Sequence, residues 1–183
     1  MLNKDNLIYI FKNLYDASKI SYDLFNEADA KIGDGDLGIT ILNGLEEINH
    51  SISNFTDDLG YNFMICSQAF VKKSGSSFGT LVAFSFMNVS KYLKGKNKCS
   101  HDEIIKIFEI ILTTILERGK TKLGDKTIAD TINLIIQKLK INNNYKSIFL
   151  SAISLSAITV GLSLSIATLA SLPERSSLAL LQE

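Results

Sequence analysis

The sequence predicts an all-α fold: a single-domain antiparallel helical barrel or bundle of about eight helices, spanning residues 1–183. Three observations carry this prediction. Apolar residues recur at spacings of three and four almost throughout, which is the period of an amphipathic helix. Almost no segment alternates strictly, so the many isoleucines do not indicate strands despite their propensity. Pro173 is the only proline in the sequence, so little interrupts the helical pattern.

Four apolar stripes and the breaks between them define the elements in order. They indicate seven or eight helices of roughly 12 to 20 residues with short loops and no internal repeat. The stripes are Leu7, Ile10, Phe11 and Leu14; Ile39, Leu42, Leu45 and Ile48; Ile104, Ile105, Ile107, Phe108, Ile111, Leu112 and Ile115; and Ile128, Ile132, Ile135, Ile136 and Leu139. The predicted breaks are Lys31–Gly38, Lys73–Gly79, Lys94–Ser100, Glu117–Gly124 and Asn142–Asn144.

Composition excludes several classes of function. The 183 residues include 19 Lys plus Arg and 19 Asp plus Glu, so the chain lacks the basic excess of nucleic-acid-binding proteins. Its two cysteines cannot form a disulfide framework, and its two histidines offer no zinc-ligand pattern. Cys66 is predicted to be a core residue, and His50 and His101 are predicted to be surface residues that flank helix ends. The N-terminus does not resemble a signal peptide, which predicts a cytoplasmic location.

One stretch leaves two interpretations open. From Ser147 to Pro173 the chain has 27 consecutive residues without a formal charge, which is long enough to span a bilayer. Seven serines, two threonines and Gly161 make the stretch weakly hydrophobic for a membrane span. The favoured interpretation is therefore one or two buried helices in which small residues allow close packing.

Three aspartates fall within eight residues of the glycine-rich segment Ala28–Thr40, ADAKIGDGDLGIT. The carboxylates of Asp29, Asp34 and Asp36 repel one another unless a cation lies between them, and Mg²⁺ prefers such oxygen ligands. A helix beginning near Leu37–Ile39 would direct its N–H groups toward an anion held by that metal, which favours a phosphate. The alternative is a solvated acidic turn in which Asp36 caps the helix.

Two further segments place polar groups at predicted helix starts. Lys73–Thr80, KSGSSFGT, offers hydroxyls, backbone N–H groups and positive charge, all of which suit phosphate oxygens. It is not a Walker A loop, and an ordinary capped serine-glycine loop is the alternative. Arg118–Asp130, RGKTKLGDKTIAD, leads from a basic cluster to another helix start, where Asp125 is the predicted N-cap.

Taken in order, the three segments resemble the nucleotide-binding L subunit of dihydroxyacetone kinase (DhaL), the Dak2-type domain. In that family a loop D-x-x-x-x-GD-x-D-x-G precedes a serine-glycine segment ending in F/M-GT, and RGK-x-x-x-GDKT follows. The matching segments here are Asp29–Gly38, Ser74–Thr80 and Arg118–Thr127. The resemblance is clear over about 7–130, and it implies an eight-helix barrel holding ADP or ATP at one rim through two Mg²⁺ ions.

The resemblance also implies the role of each site residue. It assigns the metal to Asp29, Asp34 and Asp36, and it gives no residue of this chain a covalent catalytic role. The implied phosphate contacts are Leu37, Gly38, Ile39 and Thr40, followed by Lys73 and Ser74 with Ser76 and Ser77 nearby, and the implied adenine contacts are Gly119 and Ile128.

The implied activity is phosphoryl transfer to a small ketone or polyol that a separate DhaK-like substrate-binding subunit holds. ATP and a phosphotransferase-system donor protein both remain open as the phosphoryl source. The chain is expected to form a homodimer or a hetero-oligomer. No nucleic-acid or membrane partner is expected. The nucleotide domain of a fatty-acid kinase is less favoured, because that family reads PDGDTGTNM where this chain has IGDGDLGIT.

Two departures from the family pattern support an alternative function. Leu37 stands where many members have histidine, and after Ser147 the sequence is degenerate and shortened, with LPERS at Leu172–Ser176 as an echo of the family's LGERS. The alternative is a non-catalytic regulatory or binding protein of the same fold. A membrane-tethered version using the uncharged stretch is a third hypothesis.

Overall fold

A computed structural model describes residues 1–31, 33–145 and 147–148 of the chain. Within these residues it contains seven α-helices, one 3-10 helix and two strands of two residues each, which confirms the predicted all-α fold. The helices are α1 (Lys4–Ile20), α2 (Tyr22–Asp29), α3 (Leu37–Ser51), α4 (Leu59–Lys73), α5 (Ser77–Leu93), α6 (His101–Gly119) and α7 (Ile128–Leu139). The 3-10 helix is Ile52–Asn54, and β1 (Leu2–Asn3) and β2 (Lys98–Cys99) form a two-stranded sheet.

Two breaks between helices were not predicted from the sequence. One is Ser21, which separates α1 from an α2 of eight residues, and the other is the segment 52–58 between α3 and α4. At Ser21 the N–H donates to the Ala17 carbonyl and the carbonyl accepts from the Phe25 N–H, so helical hydrogen bonding continues across the junction. The chain passes from α1 to α2 with little loss of backbone hydrogen bonding. Neither glycine nor proline is therefore needed at this break, and none marks it in the sequence.

The chain divides into two compact units. The first unit is Leu2–Lys98, and the second unit is Met1 with the described residues from Cys99 onward. Among the described residues, none of the helices has the length and apolar character needed to cross a membrane. The uncharged stretch lies outside the described residues except for Ser147 and Ile148, and LPERS also lies outside them.

Aromatic side chains form the core of the first unit. The ring of Phe11 on α1 contacts three other phenylalanine rings at centroid distances of 5.9 to 6.5 Å. All three contacts have the edge-to-face geometry that aromatic pairs prefer. Cys66 on α4 is fully buried, as predicted, and burial raises the pKa of its thiol. Gly44 lets α3 approach α4 closely, since a Cβ there would collide with the ring of Phe70. The cluster contains Phe11, Phe55, Phe63, Phe70 and Phe86.

The second unit packs α6 against α7 through aliphatic side chains, with Ile115, Ala129, Ile132 and Ile136 at its centre. His101 flanks a helix end as predicted, since it is the first residue of α6, but it is half-buried and hydrogen-bonded rather than a plain surface residue. Its Nδ1 lies 2.8 Å from the Tyr145 hydroxyl and its Nε2 lies 2.8 Å from the Leu139 carbonyl oxygen. Because a carbonyl only accepts, Nε2 carries a proton. His101 therefore joins the start of α6 to the end of α7.

Candidate metal centre

The loop between α2 and α3 is folded around the carboxylate of Asp29, the last residue of α2. Asp29 Oδ2 accepts hydrogen bonds from the backbone N–H of Gly35, at 2.8 Å, and of Asp36, at 3.1 Å. Gly35 has φ 76°, a conformation that side-chain-bearing residues rarely adopt. The glycine thus permits the turn that brings the second half of the loop back to α2.

This turn gathers the three predicted metal ligands. One carboxylate oxygen each from Asp29, Asp34 and Asp36 lies within 4.8 Å of the others. Asp34 is exposed, and the other two side chains are half-buried. The pKa of Asp36 is raised, first by partial burial and then by the negative charges of Asp34 and Asp29. These repulsions indicate that the cluster has an affinity for positive charge.

The cluster suits a hard divalent cation by its chemistry, and its carboxylates lie close enough together to close around one. All three groups offer carboxylate oxygen, the ligand atom that Mg²⁺ prefers. Ligand oxygens of an octahedral Mg²⁺ lie about 3 Å apart when adjacent and about 4 Å apart when opposite, so the three carboxylate oxygens, now within 4.8 Å of one another, would have to move together by up to about 2 Å. The remaining positions would be filled by water or phosphate oxygens, as is usual for Mg²⁺.

The start of α3 is held in a way that the sequence did not predict. Asp36 occupies the N-cap position, but within the described chain its side chain accepts no capping hydrogen bond. The acceptor is Asn26 Oδ1 on α2, which lies 2.7 Å from the Gly38 N–H nitrogen and 3.2 Å from that of Ile39. The alternative interpretation, in which the Asp36 side chain caps α3, is therefore wrong in its capping bond. A carboxyamide from the preceding helix takes that role.

Three of the four backbone N–H groups expected to meet phosphates have acceptors within the chain. Gly38 and Ile39 donate to Asn26, and Thr40 donates to the Asp36 carbonyl at 2.9 Å. A phosphate oxygen bound directly to Gly38 or Ile39 would have to displace the Asn26 amide oxygen. Leu37 is half-buried at the first position of α3, beside the carboxylate cluster.

The second polar segment lies next to the first. The buried Thr40 hydroxyl on α3 donates to Ser76 Oγ at 2.8 Å, and Ser76 Oγ also accepts from the Gly79 N–H at 3.1 Å as the N-cap of α5. Ser74 Oγ lies 3.4 Å from the same oxygen, and Ser77 is exposed at the first position of α5. The structure thus brings Thr40, Ser74, Ser76 and Ser77 to adjacent helix starts.

Lys73 lies close to an acidic side chain, so its charge is not available to a phosphate alone. Its Nζ lies 4.0 Å from Glu47 Oε2 on α3, while Lys72 Nζ lies 2.6 Å from Glu47 Oε1. The hydrogen bond from Lys72 is the largest influence on Glu47 and lowers the pKa of its carboxyl. The charge of both lysines is therefore partly balanced by Glu47, a residue that the sequence reasoning did not single out.

The third polar segment belongs to the second unit. Gly119 is the last residue of α6, and Ile128 is the first residue of α7, with 45% of its surface exposed. The prediction that Asp125 caps α7 is wrong, because Thr127 is the N-cap and forms a capping box with Asp130. Asp125 instead accepts from the Lys122 N–H at 3.0 Å and closes the preceding turn.

The capping box at α7 gives a stability prediction. Asp130 accepts from the N–H groups of Gly124, at 2.7 Å, and Thr127, at 3.0 Å, and these bonds lower the pKa of its carboxyl. We expect Asp130→Ala to lower the free energy of unfolding by about 1 kcal/mol at neutral pH. Because the folded-state pKa is lowered, this contribution exists at neutral pH and disappears as the pH falls below the range in which a free aspartate titrates.

Urea unfolding at pH 7 and at pH 3 measures this effect, and the difference in stability between the wild type and Asp130→Ala should be smaller at the lower pH. Asp102→Ala removes a first-turn carboxylate from α6 and serves as the control, with an expected change below about 0.5 kcal/mol. A loss in Asp130→Ala that is the same at both pH values would contradict the assignment to the ionised carboxylate.

Fold and site together define a helical domain with a cluster of three carboxylates beside paired helix starts. Residues 31–160 match the family model of the DAK2 domain. This match covers most of the chain and includes all three polar segments apart from Ala28, Asp29 and Ala30. The chain therefore belongs to the DAK2 domain family.

Several curated proteins are similar to this chain. The "PEP-dependent dihydroxyacetone kinase 1, ADP-binding subunit DhaL" of Listeria innocua is 31% identical over 117 residues, covering 63% of this chain and 59% of the relative. The "PEP-dependent dihydroxyacetone kinase, ADP-binding subunit DhaL" of Escherichia coli is 22% identical, covering 61% and 54%. A "Probable dihydroxyacetone kinase" of Dictyostelium discoideum is 33% identical over 67% of this chain and 21% of the relative. The matches thus span little more than half of the two bacterial relatives.

Proposed function

We propose that this chain is the nucleotide-binding, phosphoryl-transfer subunit of a dihydroxyacetone-type kinase. The observation that carries the proposal is the convergence of the Asp29, Asp34 and Asp36 carboxylates beside the start of α3, in a DAK2 domain whose relatives are named ADP-binding subunits. ADP or ATP would bind with Mg²⁺ at this cluster. A nucleoside polyphosphate adds further negative charge to three carboxylates, which supports two cations rather than one.

The chain's own residues would position the nucleotide rather than react with it. Bound Mg²⁺ would supply charge neutralisation for the transferred phosphoryl group. Asp29, Asp34 and Asp36 would hold the cations. The hydroxyls of Ser74 and Ser77 lie at the adjacent start of α5, where N–H groups and the helix dipole favour phosphate oxygens.

The remaining assignments stay predictions of the family resemblance. These are the direct phosphate contacts of Leu37, Gly38, Ile39, Thr40, Lys73 and Ser76, the adenine contacts of Gly119 and Ile128, one nucleotide-binding domain over residues 1–183, and a cytoplasmic location. For Gly38 and Ile39, a direct contact requires the Asn26 amide oxygen to move.

We further propose that the acceptor is a small ketone or polyol held by a DhaK-like subunit. The names of the Listeria and Escherichia coli relatives combine dependence on PEP with ADP binding. This combination supports a phosphotransferase-system donor protein, with ADP as a resident cofactor, over free ATP as the phosphoryl source. A complex with both proteins makes the subunit part of a hetero-oligomer.

Calorimetric titration of the purified chain with ADP tests the proposal. We expect binding with a dissociation constant of about 1 μM, equivalent to about −8 kcal/mol, when Mg²⁺ is present. Addition of EDTA should abolish the binding heat. Titration with adenosine, which lacks phosphates, is the control and should give no cation-dependent heat.

Absence of ADP and ATP binding in the presence of Mg²⁺ would contradict the proposal. The regulatory alternative would then be favoured, with the carboxylate loop serving as a docking surface. Equal ADP affinity with and without Mg²⁺ would retain nucleotide binding but remove the proposed role of the three aspartates.

A further inference from the structure

We infer that Asn26 is a positioning residue that caps α3 in place of Asp36 and thereby keeps the Asp36 carboxylate available as a cation ligand. This inference rests on the proposed function only in what the cation is for. The arrangement itself is a property of the loop between α2 and α3, and it can be measured without any nucleotide.

The usual acceptor for the first N–H groups of a helix is the side chain of its own N-cap residue. Asp36 holds that position and is one of the best N-cap residue types, yet its side chain makes no capping bond in the described chain. Asn26 Oδ1 takes both the Gly38 and Ile39 N–H groups, at 2.7 and 3.2 Å. Asp36 thus occupies the N-cap position in the backbone, while Asn26 supplies the side-chain acceptor that an N-cap residue usually provides.

A single turn of α2 holds both halves of the loop. Asn26 and Asp29 are three residues apart, so their side chains lie on the same face of the helix. Asp29 Oδ2 accepts from the N–H groups of Gly35 and Asp36, and Asn26 Oδ1 accepts from those that follow at Gly38 and Ile39. Four N–H groups between residues 35 and 39 therefore donate to two side chains of one helix.

The packing around Asn26 shows that this arrangement depends on close approach. A Cβ placed on Gly38 would lie 2.7 Å from Asn26 Oδ1 and would collide with the carbonyl oxygen of Tyr22. The Asn26 carbonyl also accepts from the Ala30 N–H at 2.9 Å, which continues α2 into the loop. Asn26 is thus fixed by its own backbone while its side chain binds α3.

The energetic consequence concerns the competition for Asp36. If Asn26 is removed, the N–H groups of Gly38 and Ile39 lose their acceptor, and the nearest capping side chain by sequence is Asp36. Rotation of Asp36 onto its own helix start would withdraw it from Asp29 and Asp34. The cation site would then have two preorganised ligands instead of three.

The test compares Asn26→Ala with Asn26→Asp, which retains an oxygen acceptor at the same length. Asn62→Ala is the matched structural control, because Asn62 also joins a helix to a loop by two side-chain hydrogen bonds, both 2.8 Å long, to Thr56. Amide chemical shifts and hydrogen exchange are measured at Gly35 and Asp36, whose N–H groups do not bond to Asn26. Affinity for Mn²⁺ alone is measured by electron paramagnetic resonance.

We expect Asn26→Ala to shift the Gly35 and Asp36 amides, to accelerate their exchange and to weaken Mn²⁺ binding about tenfold. Asn26→Asp should restore the exchange rates of the two amides and the affinity for Mn²⁺ to within about threefold of the wild-type values. Asn62→Ala should lower the unfolding midpoint and leave both readouts unchanged. This pattern would support the inference, since a general loss of stability cannot produce it.

Unchanged Gly35 and Asp36 amides in Asn26→Ala would overturn the inference, as would equal changes in Asn26→Ala and Asn62→Ala. If the wild type binds no Mn²⁺, the three aspartates hold no cation without a nucleotide, and the ADP titration alone then decides the proposed function. The amide readouts still decide whether Asn26 positions the loop. If the Gly35 and Asp36 amide signals shift in Asn26→Ala but not in Asn62→Ala, Asn26 positions the loop. If they shift in neither variant, it does not.

Discussion

Replacement of Gly38 by alanine is expected to lower the free energy of unfolding by about 3 kcal/mol. The added Cβ would collide with the carbonyl oxygen of Tyr22, and it would lie 2.7 Å from Asn26 Oδ1. A backbone carbonyl cannot rotate away as a flexible side chain can, so α2 and α3 must separate. Urea unfolding monitored by circular dichroism measures the change.

Gly75→Ala is the matched control for this substitution. A Cβ at Gly75 would meet nothing within 4 Å, and its backbone does not adopt positive φ. Its stability should change by less than about 0.5 kcal/mol. Gly38→Ala should also lose cation binding, because separation of the helices removes the Asn26 bonds to α3. A Gly38→Ala protein as stable as Gly75→Ala would contradict the close approach of α2 and α3.

Asp34→Asn is expected to weaken Mg²⁺-dependent ADP binding about 100-fold, which corresponds to about 2.7 kcal/mol. Asp34 is the exposed member of the cluster, whereas Asp29 also holds the loop through two backbone N–H groups. Asparagine therefore removes a charged ligand with little effect on the loop. Calorimetry with ADP at fixed Mg²⁺ measures the affinity, and thermal unfolding without cations measures the stability.

The stability of cation-free Asp34→Asn should equal or exceed that of the wild type, because one of three mutually repelling charges is gone. Asp57→Asn is the charge-matched control. Asp57 pairs with Lys4 on the surface of the same unit, and its removal should leave ADP affinity unchanged. Equal affinities of wild type and Asp34→Asn would argue that the cluster does not bind the cation that ADP requires.

The sequence was sufficient to predict the helices because their signal is local. Apolar spacing places α3, α6 and α7 within a few residues of their observed bounds. The predicted breaks, where glycine, serine or charge accumulates, separate α2 from α3, α4 from α5, α5 from α6 and α6 from α7, but none separates α3 from α4. Ser21 escaped because it carries none of these signals and because its backbone bonds nearly continue the helix. Local patterns report the presence of a helix better than a change in its direction.

The sequence was not sufficient to predict which side chains of different helices contact each other. Three aspartates with glycines predicted the cation cluster, since charge repulsion is a property of the residues themselves. Which side chain caps α3 depends on how α2 packs, and two acceptors, Asp36 and Asn26, were available. The three-residue spacing from Asn26 to Asp29 was a usable signal, because it places both side chains on one face of α2.

The same limit explains the wrong assignment of Asp125 as a helix cap and the unpredicted partners of His101. Asp125 and Thr127 are both good N-cap types in one short loop, and only the capping box with Asp130 selects Thr127. His101 has partners 38 and 44 residues away in sequence, which no local pattern reveals.

The hydrogen bond from Thr40 to Ser76 has an electrostatic consequence for the site. It brings the N-terminal turns of α3 and α5 together, so the positive ends of two helix dipoles lie side by side. Each end carries about half an elementary charge, and two such ends repel in the absence of an anion. The three aspartates compensate this field when the site is empty of cations. Once cations neutralise those aspartates, the paired dipoles are left to attract an anion. Metal loading of the proposed site should therefore by itself create a field that favours a phosphate group.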